Sequence, residues 1–207
     1  MKKKFKFILV FAILIVAVMS LVGCNGGAKQ APQNEVKEMS GDTSVLVVYF
    51  SWSGHLDSMA HWIADETGGD IVRVLAKEAY PSDYNQTADR AKAEKDNGTR
   101  PEITLELAKE EFDKYDVIMF GYPVWWYDLP MPMWTFLESV NLEGKTLIPF
   151  FSHEGSSNGA SSLTTISNLA KGATVKSENA LSIRGSSVAS SENEVRNWVK
   201  ELGYSKN

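Results

Sequence analysis

A single cysteine, Cys24, is all that the 207 residues contain, and three histidines are scattered among them. An intramolecular disulfide, a Cys-x-x-Cys redox pair and a thiolate metal site are therefore excluded. No group of His, Asp and Glu has metal-ligand spacing. Neither G-x-x-x-x-G-K-[ST] nor G-x-G-x-x-G follows the first apolar run, so a P-loop and a dinucleotide fingerprint both lack their glycines. Internal repeats and a second domain are also missing. What is present is an ordinary globular composition, 43% hydrophobic and 23% charged, with material for one core.

The first residues stand apart from that composition. Lys2, Lys3, Lys4 and Lys6 form a positive n-region, residues 7–19 an unbroken apolar stretch, and Leu21-Val22-Gly23-Cys24 a small-residue processing site. This resembles a bacterial lipoprotein signal, which implies that residues 1–23 are removed and that Cys24 becomes the lipidated first residue. Two acyl chains at about 0.8 kcal/mol per buried CH₂ suffice for stable anchoring to the membrane. The apolar stretch also approaches the length of an uncleaved anchor. Residues 24–43 are polar, lack apolar periodicity and read as a flexible tether reaching on the order of 20 to 25 Å. The expected location is extracytoplasmic and lipid-anchored. Removing residues 1–23 takes four lysines and no acid, so the formal net charge moves from −5 to −9. That acidity argues against nucleic acid as a partner and suits one that is locally basic.

From residue 44 to residue 207 the pattern alternates between strand and helix. Residues 45–50 are a β-branched and aromatic run, suited to a parallel strand covered on both faces. Leu56, Met59, Ala60, Ile63 and Ala64 then recur at helical spacing. Further strands are expected over residues 70–75, 116–121, 146–151 and 173–176. Helices are expected from residue 86 to about 97, from 133 to 140, from 161 to 170, and after a capping box formed by Ser191 and Glu194. Alternation of this kind predicts an α/β three-layer sandwich around an open parallel sheet.

Ligands of such sheets bind beyond the carboxyl ends of the strands. Three strands end in loops with unusual chemistry. The first is Ser51, Trp52, Ser53, Gly54, His55 and Leu56, where a small-residue turn meets a helix N-terminus, an arrangement that suits a phosphate but also occurs without any ligand. The second, from Tyr122 through Pro123, Val124, Trp125 and Trp126 to Asp128, supplies flat aromatic rings. The third, Ser152, His153, Glu154 and Gly155 onward to Gly159, lets backbone approach a ligand. Together they fit a planar aromatic molecule carrying a phosphate, and FMN is the candidate.

Ser51-Trp52-Ser53-Gly54, Tyr80-Pro81 with Asp83-Tyr84-Asn85, Gly121-Tyr122-Pro123-Val124-Trp125-Trp126, Pro130-Met131-Pro132 and Gly144-Lys145 before Pro149-Phe150 resemble the flavodoxin-like family, in particular its bacterial Tyr-Pro-x-Trp-Trp branch. The resemblance implies five parallel strands in the order 2-1-3-4-5, the FMN phosphate in the first loop and the flavin ring between the other two. It implies cofactor contacts from Ser51, Ser53, Gly54, His55, Leu56, Pro123, Val124, Trp125, Trp126, Ser152, His153 and Gly155. Relatives usually continue the phosphate loop as Gly-Asn-Thr, whereas Gly54-His55-Leu56 stands here, so Leu56 brings no hydroxyl, and His55 is either a partial substitute donor or a solvated residue at the helix start. Glu154 follows His153 where relatives often have glycine.

The implied activity is electron transfer by a membrane-tethered flavoprotein, serving a redox protein or a small-molecule acceptor. The flavin carries the chemistry, with His153 as a candidate proton donor. Two other readings stay open: an NAD(P)H- or quinone-linked flavin oxidoreductase, and a binding module of the same fold that has lost FMN.

Overall fold

The structure, a computed structural model, describes residues 43–155 and 157–206. The signal segment, Cys24 and the tether up to residue 42 lie outside the described residues. Among the described residues no helix is long and apolar enough to cross a membrane.

The chain runs β1 (Val45–Tyr49), α1 (His55–Thr67), β2 (Asp70–Arg73), β3 (Leu75–Ala76), α2 (Tyr84–Asp96), β4 (Ile103–Thr104), β5 (Val117–Pro123), α3 (Met131–Ser139), β6 (Thr146–His153), α4 (Ala160–Leu169), β7 (Thr174–Val175), β8 (Leu181–Arg184) and α5 (Glu192–Glu201). The main sheet is parallel throughout, in the order β2-β1-β5-β6, with both β7 and β8 on the outer side of β6. In chain order of the long strands this is the expected 2-1-3-4-5.

Alternation along the strands divides the core into two faces, as a period of two requires. Val47 and Tyr49 of β1 and Met119 of β5 pack with Leu56, Met59 and Ile63 of α1 and with Val195 and Val199 of α5. Leu46, Val48, Ile118 and Phe120 face the other way, toward Met133 and Phe136 of α3 and Ile166 of α4. Every residue of β1 is buried, which explains why its sequence shows no polar face.

Four expectations are corrected. The second strand stops at Arg73, because Leu75 and Ala76 leave the sheet and pair antiparallel with Thr104 and Ile103. The third and fourth strands run two residues further than expected, so Pro123, Ser152 and His153 belong to the sheet's carboxyl edge rather than to loops. The fifth strand is split, since β7 meets Thr146 and Leu147 while β8 meets residues from Phe150 to His153. Ser191 does precede α5, but its hydroxyl donates to the Ser187 carbonyl at 2.9 Å instead of capping the helix.

The split accounts for a proline inside a central strand. Lys145 and Leu147 turn their carbonyls outward to the N–H groups of Thr174 and Lys176, while Ser152 turns its carbonyl inward to Val124. The alternation puts the nitrogen of Pro149 on the outer side, between β7 and β8. No ladder bond is lost there.

Candidate functional site

The first loop leaves β1 with Ser51 buried beneath it, and the Ser51 hydroxyl accepts the Gly54 N–H at 3.1 Å. Gly54 precedes α1 with φ at 91°, and a Cβ there would meet nothing within 4 Å. The backbone thus turns sharply in front of open space, a conformation glycine adopts without strain. The N–H groups of Ser53, His55 and Leu56 find no acceptor among the described residues, as expected of a helix N-terminus that faces a ligand or water. Arg73 braces the loop from the end of β2: it donates to the Ser51 carbonyl at 2.8 Å and pairs with Asp57 at 3.6 Å. Asp57 also accepts the Tyr49 hydroxyl at 2.7 Å, and burial with that carboxylate pushes the Tyr49 phenol well above its usual range.

The second loop is a two-residue hairpin. Trp125 and Asp128 exchange N–H···O bonds, both 2.9 Å, leaving Trp126 and Tyr127 as the central pair with φ of 47° and 67°. Two positive φ values in succession are the geometry for which Asn-Gly is preferred. Each non-glycine residue held there costs roughly 1–2 kcal/mol. Asp128 is buried and anchors the hairpin through Thr165 of α4, at 3.1 Å. Trp125 sets its ring edge-on against Phe50 and Tyr80, with centroids 5.5 and 5.1 Å away. Tyr80 in turn donates to Glu94 of α2 and lies under Arg90, which pairs with Glu94 at 2.8 Å. Burial, then the Glu94 bond, raises the Tyr80 phenol far above its ordinary range. Trp126 is held against the same helix, its indole N–H donating to Ala88 at 2.9 Å and its carbonyl accepting from Lys95.

The third loop begins at His153, whose Nδ1 accepts the Gly155 N–H at 2.9 Å. That bond assigns the neutral ring's proton to Nε2. The turn after β8 approaches closely. A Cβ on Gly185 would strike the Glu154 carboxylate and lie 2.8 Å from the His55 ring, so Gly185 is what allows the first and third loops to meet.

These pieces enclose a cavity of about 450 Å³ beyond the carboxyl ends of β1, β5 and β6. Of the residues expected at the site, it brings together Ser53, His55, Pro123, Val124, Trp125, Trp126, Ser152 and His153. Ser51, Gly54, Leu56 and Gly155 are not on its wall. The Leu56 side chain is buried against α1's own core face, so only its backbone reaches the loop. Gly155 packs near Arg184 instead. One whole wall goes beyond the sequence reading: Tyr84, Thr87, Ala88 and Ala91 line the cavity from α2. Their spacing of three, four and seven is one helical face, a signal present in the sequence. Trp52, Tyr127, Glu154 and Ser157 complete the lining, and Trp52 ties the first loop to the Pro81 carbonyl at 2.9 Å.

A sequence model of the flavodoxin family matches residues 44–202. The chain belongs to the flavodoxin family. Among solved structures this flavodoxin is similar to a flavoprotein from Lactobacillus acidophilus, determined in complex with FMN, at 26% identity over 72% of this chain and 97% of that one, with a TM-score of 0.59. It is also similar to a protein from Bacteroides eggerthii assigned as a flavoprotein, at 30% identity over 77% and 98% of the two chains and a TM-score of 0.64. A third, likewise assigned, comes from Bacteroides uniformis, with 27% identity, coverage of 76% and 98%, and a TM-score of 0.65. In this flavodoxin the strand order reverses beside β1, and the cavity lies at that switch point. Open α/β sheets place their ligands there, and the flavodoxin fold is itself a standard instance of that rule.

Proposed function

We propose that this flavodoxin binds FMN and carries electrons between redox partners. The observation that carries the reading is the convergence of a phosphate-type loop, an aromatic hairpin and a glycine-containing turn on one cavity. Its size is that of a small-molecule site, about 450 Å³. The donor set fits the cofactor. The N–H groups of Ser53, His55 and Leu56, which have no acceptor among the described residues, suit the phosphate, and Ser53 and His55 line the same wall. Trp125 and Trp126 would hold the flat ring, and Ser152 and His153 would meet its polar edge. When bound, FMN supplies one- and two-electron chemistry. The protein's part is to exclude water with its aromatic walls, to offer the Nε2 proton of His153, and to set the local charge. Glu154 makes that charge negative, which disfavours further negative charge on the ring.

The decisive measurement is titration of FMN into the full chain, purified in a non-ionic detergent. Quenched flavin fluorescence with a perturbed absorbance spectrum is the expected result, and unchanged fluorescence overturns the reading. Steady turnover of NAD(P)H with a quinone would make the protein an oxidoreductase instead of a carrier.

The reading extends to location. Leu21-Val22-Gly23-Cys24 supports lipidation at Cys24, with residues 24–43 as a tether that holds the domain off the membrane and turns its acidic surface toward a basic partner. A Cys24→Ser chain should leave the membrane fraction and fail to incorporate a labelled acyl chain. Unaltered membrane retention with no label in the wild type would show an uncleaved anchor.

A further inference from the structure

The backbone at Gly185 does not call for glycine. It opens a short 3-10 turn and is not among the glycines of positive φ, so an L-residue could adopt its conformation. What calls for glycine is space. A Cβ there would strike the Glu154 carboxylate and lie 2.8 Å from Nδ1 of His55. The carboxylate of the third loop and the ring of the first therefore face each other across the hydrogens of a buried glycine. Any side chain at residue 185 would keep them apart.

Neither partner is spent elsewhere. The His55 ring and the Glu154 carboxylate make no hydrogen bond and no ion pair among the described residues. The charged groups around them are occupied or aimed away: Asp57 accepts from Tyr49 and pairs with Arg73, and the Arg184 guanidinium lies against Gly155. His55 is also the first residue of α1, beside the backbone N–H groups that lack acceptors and at the positive end of the helix dipole. A neutral imidazole has one N–H to donate, whereas an imidazolium has two. With Glu154 on one side and an anion at the helix N-terminus on the other, a doubly protonated ring donates a charge-assisted hydrogen bond to each. Without that ring between them, Glu154 and the anion repel.

We propose that Glu154 is a positioning residue that acts through His55, holding the ring so that it donates to the ligand's phosphate, and that the pair selects a phosphorylated flavin over the same flavin without phosphate. The proposal rests on the FMN reading above. Glu154 contributes only while His55 is present, and its carboxylate opposes phosphate binding once the ring is gone.

Titrations of FMN and of riboflavin, which lacks the phosphate, into the full chain and three variants test this. His55→Phe keeps a ring but no N–H donor, and should weaken FMN binding about tenfold while changing riboflavin binding less than twofold. Glu154→Gln should weaken FMN binding about three- to fivefold, again sparing riboflavin. In the double variant the sign of the Glu154 effect should reverse, with FMN bound about two- to threefold more tightly than by His55→Phe alone. Glu154→Gln that weakens FMN equally in both backgrounds, or weakens both flavins alike, would overturn the action through His55 while leaving the flavin reading intact. His55→Phe that binds FMN like the wild type would overturn the contact with the phosphate. A wild-type chain that binds neither flavin overturns the flavin reading, and this assignment with it.

Discussion

Tyr80→Phe tests how the aromatic wall is supported, and its effect should reverse with pH. The substitution leaves the ring that abuts Trp125 and removes only the hydroxyl that donates to Glu94. Glu94 is only 9% exposed, and its other oxygen stays paired with Arg90 at 2.8 Å. Losing a hydrogen bond to a charged, buried acceptor costs roughly 1.5–3 kcal/mol, and about 2 is expected here because Arg90 remains. For a domain of this size that is a fall in melting temperature of about 4–8 °C. The Tyr80 phenol is raised in the fold, so the stability it contributes is complete below the unfolded tyrosine value and is lost as pH rises above it. The wild type should therefore lose about 1.4 kcal/mol per pH unit above pH 10 that the Phe variant does not lose. The two should become equally stable near pH ~11.5. Urea unfolding of both chains from pH 7 to 12 measures this directly. A difference that stays constant across that range would refute the donation to Glu94, and a fall below 1 °C at pH 7 would show that Glu94 is satisfied in another way. FMN affinity should change less than about threefold, since the ring behind Trp125 is kept.

Gly185→Ala should weaken FMN binding with a stability change under about 1 kcal/mol, because the new methyl displaces the ends of the Glu154 and His55 side chains rather than backbone; paired FMN titration and urea melts check it. Leu56→Thr restores a hydroxyl to the phosphate loop but should cost about 2 kcal/mol, because Leu56 is buried on the core face of α1 against the sheet. If its melting temperature is unchanged, the side chain is not where the core places it.

The fold is legible in the sequence wherever one periodicity holds over several residues. β1, β5 and β6 read as central strands because burial on both faces excludes polar residues from them. The short pieces are mostly not legible. The strand expected over residues 173–176 does fall on β7, but the two residues of β3 carry no period, and β8 escapes a reading by runs although Leu181 and Ile183 point inward while Ser182 and Arg184 point outward. The expected cap at Ser191 fails because its side chain turns back toward the preceding 3-10 turn, where the hydroxyl donates to the Ser187 carbonyl, rather than forward to accept a helix N–H. At the cavity, residues carried by strand ends are recognisable, since the switch-point rule depends on topology alone. The α2 wall is easily passed over despite its helical spacing, because Tyr84 and its neighbours look like a polar connection before a charged helix. Small residues such as Ala88 and Ala91 advertise a close approach only once the partner surface is known. Gly185 is invisible for a similar reason: the clash it avoids is with residues 31 and 130 positions away.

The divided outer strand has a consequence beyond the placement of Pro149. A lipid anchor of the kind proposed would confine many copies to one plane, where neighbouring domains collide repeatedly in similar orientations. A long open β-edge would then invite strand exchange between copies. Here the outer edge is only two residues of β7 and four of β8, interrupted where the sheet has no donor to offer, and the opposite edge is the four-residue β2. Neither rim gives a neighbour enough consecutive hydrogen bonds to begin a ladder, so crowding on a membrane need not lead to fibres.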